Sequence, residues 1–365
     1  MTPLVNCVRI TASLVIIYYL LGFIRMSKYN NIIRHFKAKR LLVIGDVVLD
    51  QYIKGSVTRI SPEAPVPIVL QEESFYTPGG AANVANNLAA LGAEVTLVGK
   101  VGDDIEGGIL KRELHKRHIQ THGLFVDKSI HTIFKTRIIA QHQQIVRLDR
   151  EKSYKPGLDL VKANKILPFL RRHMEEYKAV IVSDYGKGIV DATILSQVHE
   201  LAKKFKIPVV VDPKLEDLRE YGQVSCITPN KKEAEAALKN IPEETRKAFG
   251  IVTTKLDIQK DIEANGCGLL KYLGIESLLI TLGEHGMYLF EENKKPFPIP
   301  TMARQVFDVS GAGDTVISVF ALCLAAGADK SQAAKIANYA AGVVVGKMGA
   351  VAIELDELKL AMGAS

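Results

Sequence analysis

Leu41–Leu42–Val43–Ile44–Gly45–Asp46 sets four branched apolar residues against a glycine and an acid. Apolar runs of this kind recur at Val95–Val98, Val180–Ser183, Val209–Asp212, Cys226–Thr228 and Leu278–Thr281. They are continuous rather than alternating, as expected of strands buried on both faces. Helix-period segments lie between them: Asn83–Leu91, Gly107–Arg117, Ala192–Phe205 and Lys231–Leu238. Strands separated by helices imply βαβ units, so the expected fold is α/β with a doubly wound, mainly parallel sheet. Two stretches break the rhythm, Gln51–Tyr76 and about His131–Arg150. Both alternate like strands and have no helix attached. They are expected to form a small β-strand lid at one edge of the main sheet.

Polar or glycine-rich loops follow many of the runs, as at Asp46 and Asp50, Asp184–Gly188, Asp212–Lys214 and Thr281–Gly286. In an open α/β sheet such loops converge at the carboxyl ends of the strands, where ligands bind. The strongest local pattern is Asp308–Val309–Ser310–Gly311–Ala312–Gly313–Asp314–Thr315, ahead of an apolar helix over Ala312–Ala326. Glycines permit close backbone approach, and a helix start offers free N–H groups to an anion. A carboxylate at Asp314 can take a hydroxyl proton while those N–H groups hold phosphoryl charge. The same residues also fit an N-cap turn. Pro78–Gly79–Gly80–Ala81–Ala82–Asn83 opens a second helix and by itself fits an ordinary turn. Asn230–Lys231–Lys232–Glu233 fits either a helix start or a pair that positions hydrated magnesium and phosphate.

Composition removes several classes. The net charge of +7 comes from 47 Lys and Arg against 40 Asp and Glu. Residues 1–40 hold seven basic residues and no acidic one, so 47 − 7 leaves 40 against 40 in positions 41–365. A neutral body without tryptophan carries no nucleic-acid footprint. Cys7, Cys226, Cys267 and Cys323 form no CxxC pair, which points to a reducing, cytoplasmic setting and against a metal cluster. No GxxxxGK[ST] is present, which excludes a P-loop enzyme, and no GxGxxG follows the first strand, which weakens a dehydrogenase reading. Residues 1–37 read as an N-terminal extension, with the body over 38–365. Its uncharged run Ile10–Ile24 is shorter than the roughly 20 residues that span a bilayer. Met26 is the expected start, and membrane contact is expected only if that run is real.

In this order the motifs resemble the ribokinase-like (PfkB) carbohydrate kinase family, over about residues 38–360. The Gly79–Gly80…Asn83 segment resembles its first signature, Asp308–Asp314 its second, and Asn230-x-x-Glu233 its magnesium and phosphate motif. Gly45–Tyr52, Arg59–Pro67 and Ser183–Gly188 more closely resemble the branch acting on D-glycero-β-D-manno-heptose 7-phosphate. That branch is often fused to an adenylyltransferase, and a chain stopping at Ser365 implies the kinase alone. The resemblance implies ATP-dependent phosphorylation of the anomeric hydroxyl to the 1,7-bisphosphate, feeding nucleotide-activated heptose for lipopolysaccharide core. A different sugar or sugar phosphate of the family is the alternative, and a catalytically dead sugar-binding protein is a third reading, opposed by Asp314, Asn230 and Glu233.

The resemblance also implies roles. Asp314 is the base, with Gly311, Ala312 and Gly313 as anion hole. Asp50, Gly79, Gly80 and Asn83 hold sugar hydroxyls, and Asp184 belongs to the same substrate pocket. Lys187, Arg59 and Arg147 are the cationic candidates for the sugar's own phosphate. Asn230 and Glu233 position Mg–ATP, with Glu233 meeting Mg2+ through water. Thr281, Gly283, Gly286 and Asn338 line the nucleotide cleft. Asp308 is the candidate for K+ or another monovalent cation. A homodimer that clasps through the lid strands is implied as well. The chain departs from the family pattern at Ser318–Val319, where relatives often have Ala-Gly.

Overall fold

The computed structural model describes residues 29–141, 143–151, 159–214, 217–303 and 305–363. The expected start at Met26 and the apolar run Ile10–Ile24 lie outside them. Among the described residues, no helix is long and apolar enough to cross a membrane.

The strands in chain order are β1 Arg40–Gly45, β2 Val47–Ile60, β3 Pro67–Gly80, β4 Glu94–Val101, β5 Gln120–Val126, β6 Ile133–Ala140 and β7 Gln143–Arg150. They continue with β8 Ala179–Ser183, β9 Val209–Asp212, β10 Cys226–Ile227, β11 Ser277–Thr281, β12 Met287–Glu291 and β13 Phe297–Ile299. Nine of them form the main sheet, in the order β13-β12-β11-β10-β9-β8-β1-β4-β5. All neighbours from β5 to β11 run parallel, and β12 and β13 add an antiparallel edge. The pattern of apolar runs did not reveal β5, β12 or β13. The last two form an antiparallel edge hairpin joined through residues 292–296, where Asn293 has φ +59°.

The unbroken apolar runs have a direct cause. Leu41 and Val43 of β1 pack with helices Ala81–Ala90 and Ala312–Ala325 on one face. Leu42 and Ile44 pack with helices Ala192–Phe205 and Gln259–Leu273 on the other. Alternate residues therefore feed opposite cores, and none can be polar. Ser318, at the family departure, donates its hydroxyl to Val84 O at 3.1 Å and to Asp314 O at 2.6 Å, while Val319 is fully buried. The pair knits helix Ala312–Ala325 onto helix Ala81–Ala90 and leaves Asp314 in place.

The second sheet has the order β3-β2-β6-β7. β2 and β3 run on to Val47 and Gly80, so the lid is rooted directly in β1 and in helix Ala81–Ala90. Its register sorts the two faces. Phe75, Tyr52, Arg137 and Arg147 form one cross-strand row, beside Thr77, Asp50, Lys135 and Asp149. The next row, Ser74, Ile53, Ile138 and Val146, lies on the opposite face.

The core tolerates little added volume. A Cβ on Gly266 would stand 2.2 Å from Cζ of Phe290, which is buried on β12. Helix propensity favours alanine there by about 1 kcal/mol, but overpacking costs about 1–3 kcal/mol. Gly266→Ala is expected to lower the melting temperature by a few degrees, read by calorimetry; an unchanged or raised midpoint would show that the ring moves freely.

Candidate active site

The site lies where the strand order reverses, between β1 and β8. Asp46 follows β1 there and is almost fully buried. Its side chain accepts backbone N–H bonds from Tyr185 (3.1 Å), Lys187 (2.9 Å) and Ile189 (3.0 Å). Its carbonyl accepts from Ala81 N at 3.0 Å, at the start of helix Ala81–Ala90. Gly80 precedes that helix with φ +57°, and a Cβ there would stand 2.6 Å from Asp46 O. Only glycine fits this crossing.

Helix Ala312–Ala325 begins after Gly311, at φ +78°. Asp314 lies in its first turn with 6% of its surface exposed. Asn83 Nδ2 donates to Asp314 Oδ2 at 2.7 Å, and Tyr185 Oη donates to Asp314 Oδ1 at 2.7 Å. Burial pushes the carboxyl up to about 6, against the lowering effect of those two hydrogen bonds. The side-chain oxygen Oδ1 of Asn83 is buried without a partner in the protein. Such an atom awaits a donor, as a ligand hydroxyl would supply. No atom lies within 4 Å of where a Cβ on Gly313 would stand. The helix start is thus open to an anion.

A cleft of about 190 Å³ joins these groups to the loops after β8, β9, β10 and β11. Gly311, Gly313, Asp314, Asp184, Asn230, Glu233 and Thr281 all line it. Among the residues without an expected role, Tyr185, Asp212 and Lys214 line it too. Asp212 is partly accessible; desolvation and the charges of Asp314 and Glu233 push its carboxyl well above the usual range. A larger depression of about 1360 Å³, at the start of β9 and lined by Lys206 and Glu276, contains none of these residues.

Several assignments change once side chains are in place. Asp184 turns inward, accepting from Tyr221 Oη at 2.7 Å and Gly186 N at 2.8 Å, so it braces its loop. Asn338 is 4% exposed and donates to Pro300 O at 2.7 Å, which fixes the chain after β13; it is not among the residues lining the cleft. Asn230 and Glu233 form a reciprocal capping box of 2.9 and 3.1 Å. Glu233 keeps Oε1 for other partners, 3.7 Å from Lys214 Nζ. Asp308 accepts from Ser310 N at 2.9 Å and from Gly349 N at 3.0 Å, a brace for the turn. Burial acts to raise its carboxyl, but these bonds outweigh it and hold the group below its usual range. Gly283 and Gly286 shape the turn between β11 and β12, at φ +59° and +81°.

The cationic candidates also separate. Arg59 is exposed near the far end of β2, nine residues from Asp50 and so about 30 Å along the strand. The structure does not bring it to the cleft. Lys187 pairs with Glu151 at 2.8 Å, at the lid's base. Arg147 pairs with Asp149 at 2.9 Å and stands across from Arg137. Arg137, which sequence reasoning missed, donates to Asp50 at 2.6 Å. Asp50 is nearly buried, and Gly79 makes room for it, since a Cβ there would lie 2.3 Å from its Oδ2. Only the register of β2 against β6 reveals this pair.

A sequence-family profile described as pfkB family carbohydrate kinase matches residues 38–357. The bifunctional protein HldE of Desulfatibacillum aliphaticivorans is 43% identical over 324 residues, 89% of this chain and 63% of that protein. HldE of Haemophilus ducreyi is 42% identical over 327 residues, 90% of this chain and 64% of that protein. The chain therefore spans somewhat under two thirds of the length of these relatives. Among solved structures, phosphofructokinase-2 of Escherichia coli with substrates and products has a TM-score of 0.69 at 17% identity, covering 89% of this chain and 99% of that one. Arabidopsis thaliana ribokinase with ribose and ATP has a TM-score of 0.66 at 20% identity, covering 90% and 100%. These two show the shared fold.

The raised titration of Asp314 has a consequence for stability. Its folded value of about 6 lies above the ordinary 3.8. Stability present below pH 4 is therefore lost as pH rises through 6, by about 3 kcal/mol at most. Asp314→Asn removes that ionisation. The variant is expected to melt above the parent at pH 7.5 and to match it at pH 4; a variant that melts lower at pH 7.5 would refute the burial argument.

Proposed function

Because the chain belongs to the pfkB family of carbohydrate kinases, we propose that it transfers the γ-phosphoryl group of ATP to the anomeric hydroxyl of D-glycero-β-D-manno-heptose 7-phosphate. The observation that carries this reading is the buried carboxyl of Asp314, held between Asn83 and Tyr185 at an open helix start.

Asp314 takes the proton from the anomeric hydroxyl as its oxygen attacks the γ-phosphorus. The bond from that phosphorus to the β,γ-bridging oxygen breaks, and ADP leaves with the electron pair. N–H groups at Gly311 and Gly313 face the charge on the transferring group, whereas that of Ala312 donates to Val309 O at 3.2 Å and serves the turn. The uncommitted oxygen of Asn83 accepts from a sugar hydroxyl, and Asp50, fixed by Arg137, accepts from another. Thr281 and Gly283 border the nucleotide. Among the described residues no group of three or more acidic, His or Cys side chains is poised to hold a metal. The residues suit a magnesium ion that arrives with the nucleotide and meets Glu233 through water. Such an ion supplies charge neutralisation on the phosphate oxygens. Asp308 accepts one backbone N–H on each oxygen, and no step is assigned to a cation there.

Two features favour a heptose phosphate over other sugars. The HldE relatives match nearly all of this body, and the Arg59–Pro67 segment resembles that branch. The basic row Arg137–Arg147 offers charge for a sugar phosphate, with Lys187 at its base. On this reading the protein works in the cytoplasm as a homodimer. The lid face bearing Val146 and Leu148, 49% and 68% exposed, supplies the contact.

ATP consumption would be measured with heptose 7-phosphate, fructose 6-phosphate, fructose and ribose. Turnover is expected on heptose 7-phosphate, with a loss of about 10²–10⁴-fold in Asp314→Asn. Turnover on another sugar alone would refute the substrate, and full activity in the variant would refute the base. Light scattering is expected to give twice the monomer mass, and Leu148→Glu to give the monomer; a monomeric parent would refute the lid contact.

A further inference from the structure

We infer that Tyr185 is a positioning residue for the phosphoryl-transfer base: its phenol orients the Asp314 carboxyl and stabilises the anion that accepts the sugar proton. The inference rests on Asp314 acting as that base.

Tyr185 lies in the loop after β8 and is far from Asp314 in sequence, yet its Oη donates to Asp314 Oδ1 at 2.7 Å. The loop is fixed from beneath, because Asp46 accepts from the backbone of Tyr185, Lys187 and Ile189. The ring lies beside Gly80, where an added Cβ would stand 3.6 Å from its Cε2. A phenol so enclosed needs a hydrogen-bond partner. Asn83 approaches the other carboxyl oxygen from helix Ala81–Ala90. Two donors on two oxygens set the plane of the carboxyl and leave a lone pair on each for substrate.

The charges around the carboxyl make this donor matter. Asp314 faces Asn83 from helix Ala81–Ala90, Tyr185 from the loop after β8, and Asp50 from β2, which is paired with Arg137 of β6. Asp212 approaches from the end of β9, with Glu233 and Lys214 behind it. Burial, and after it the Asp50 carboxylate, favour the protonated, inactive carboxyl. Tyr185 and Asn83 oppose them. Burial and the nearby carboxylates hold the phenol well above its usual range, so it remains a donor.

Tyr185→Phe removes only that hydroxyl. The acid limb of kcat/KM is expected to move upward by about one pH unit or more, with activity recovering to near the parent's on the alkaline side. Replacing Tyr185 with 3,5-difluorotyrosine strengthens the donor and is expected to move the limb down. An unmoved limb, or an equal loss at every pH, would overturn the inference. Carboxyl carbon-13 titration without substrate, with the signal assigned by its loss in Asp314→Asn, reads the same contact independently of turnover. An upward shift of that signal in Tyr185→Phe supports the contact even if no tested sugar is a substrate. An unshifted signal overturns it, whichever sugar is used.

Discussion

The buried carboxylate of Asp46 takes three backbone N–H groups from one loop while its own carbonyl meets the start of the helix after β3. Burial pushes its carboxyl up, and the backbone hydrogen bonds of Lys187, Ile189 and Tyr185 counter that cost. Everything placed around Asp314 depends on this arrangement. The loop carries Tyr185, the helix carries Asn83, and the two meet at Asp314 from opposite sides. Because one side chain ties the loop to β1, the donors on Asp314 are set by the sheet rather than by a flexible segment.

The lid is coupled to the same point. β2 starts at Val47, next to Asp46, and β3 ends at Gly80, directly before the helix that bears Asn83. Asp50 therefore stands four residues along the chain from Asp46, and Arg137 of β6 neutralises it across the lid. Tyr52 lies under the same guanidinium at 5.3 Å and stacks on Phe75 at 5.2 Å. At the lid's other side Glu151 contacts both Lys187 and Lys135. A movement of the lid would be felt at Asp50 and at the loop after β8.

The capping box at Asn230 and Glu233 shows how one motif serves two ends. Its hydrogen bonds satisfy the first turn of helix Lys231–Asn240. The same turn brings Glu233 Oε1 to the cleft, facing Lys214. The structural reading and the nucleotide reading of these residues are compatible, because a capping glutamate spends only one oxygen on the backbone.

The sequence alone determined the doubly wound sheet, since unbroken Val, Ile and Leu runs are needed wherever both faces of a strand are covered. It also marked Asp314, Gly311 and Asn83, because glycine and small polar residues at helix starts leave a local pattern. Tertiary structure decided which polar groups meet. Tyr185 on Asp314, Arg137 on Asp50 and the inward turn of Asp184 join residues from separate strands, and no spacing along the chain encodes such a contact. Arg59 and Arg147 share a charge in the sequence, yet strand length and register put one beyond reach and the other opposite Arg137. Charge is a property of a residue, but its use at a site depends on distance, and distance between strands is fixed only when the sheets form.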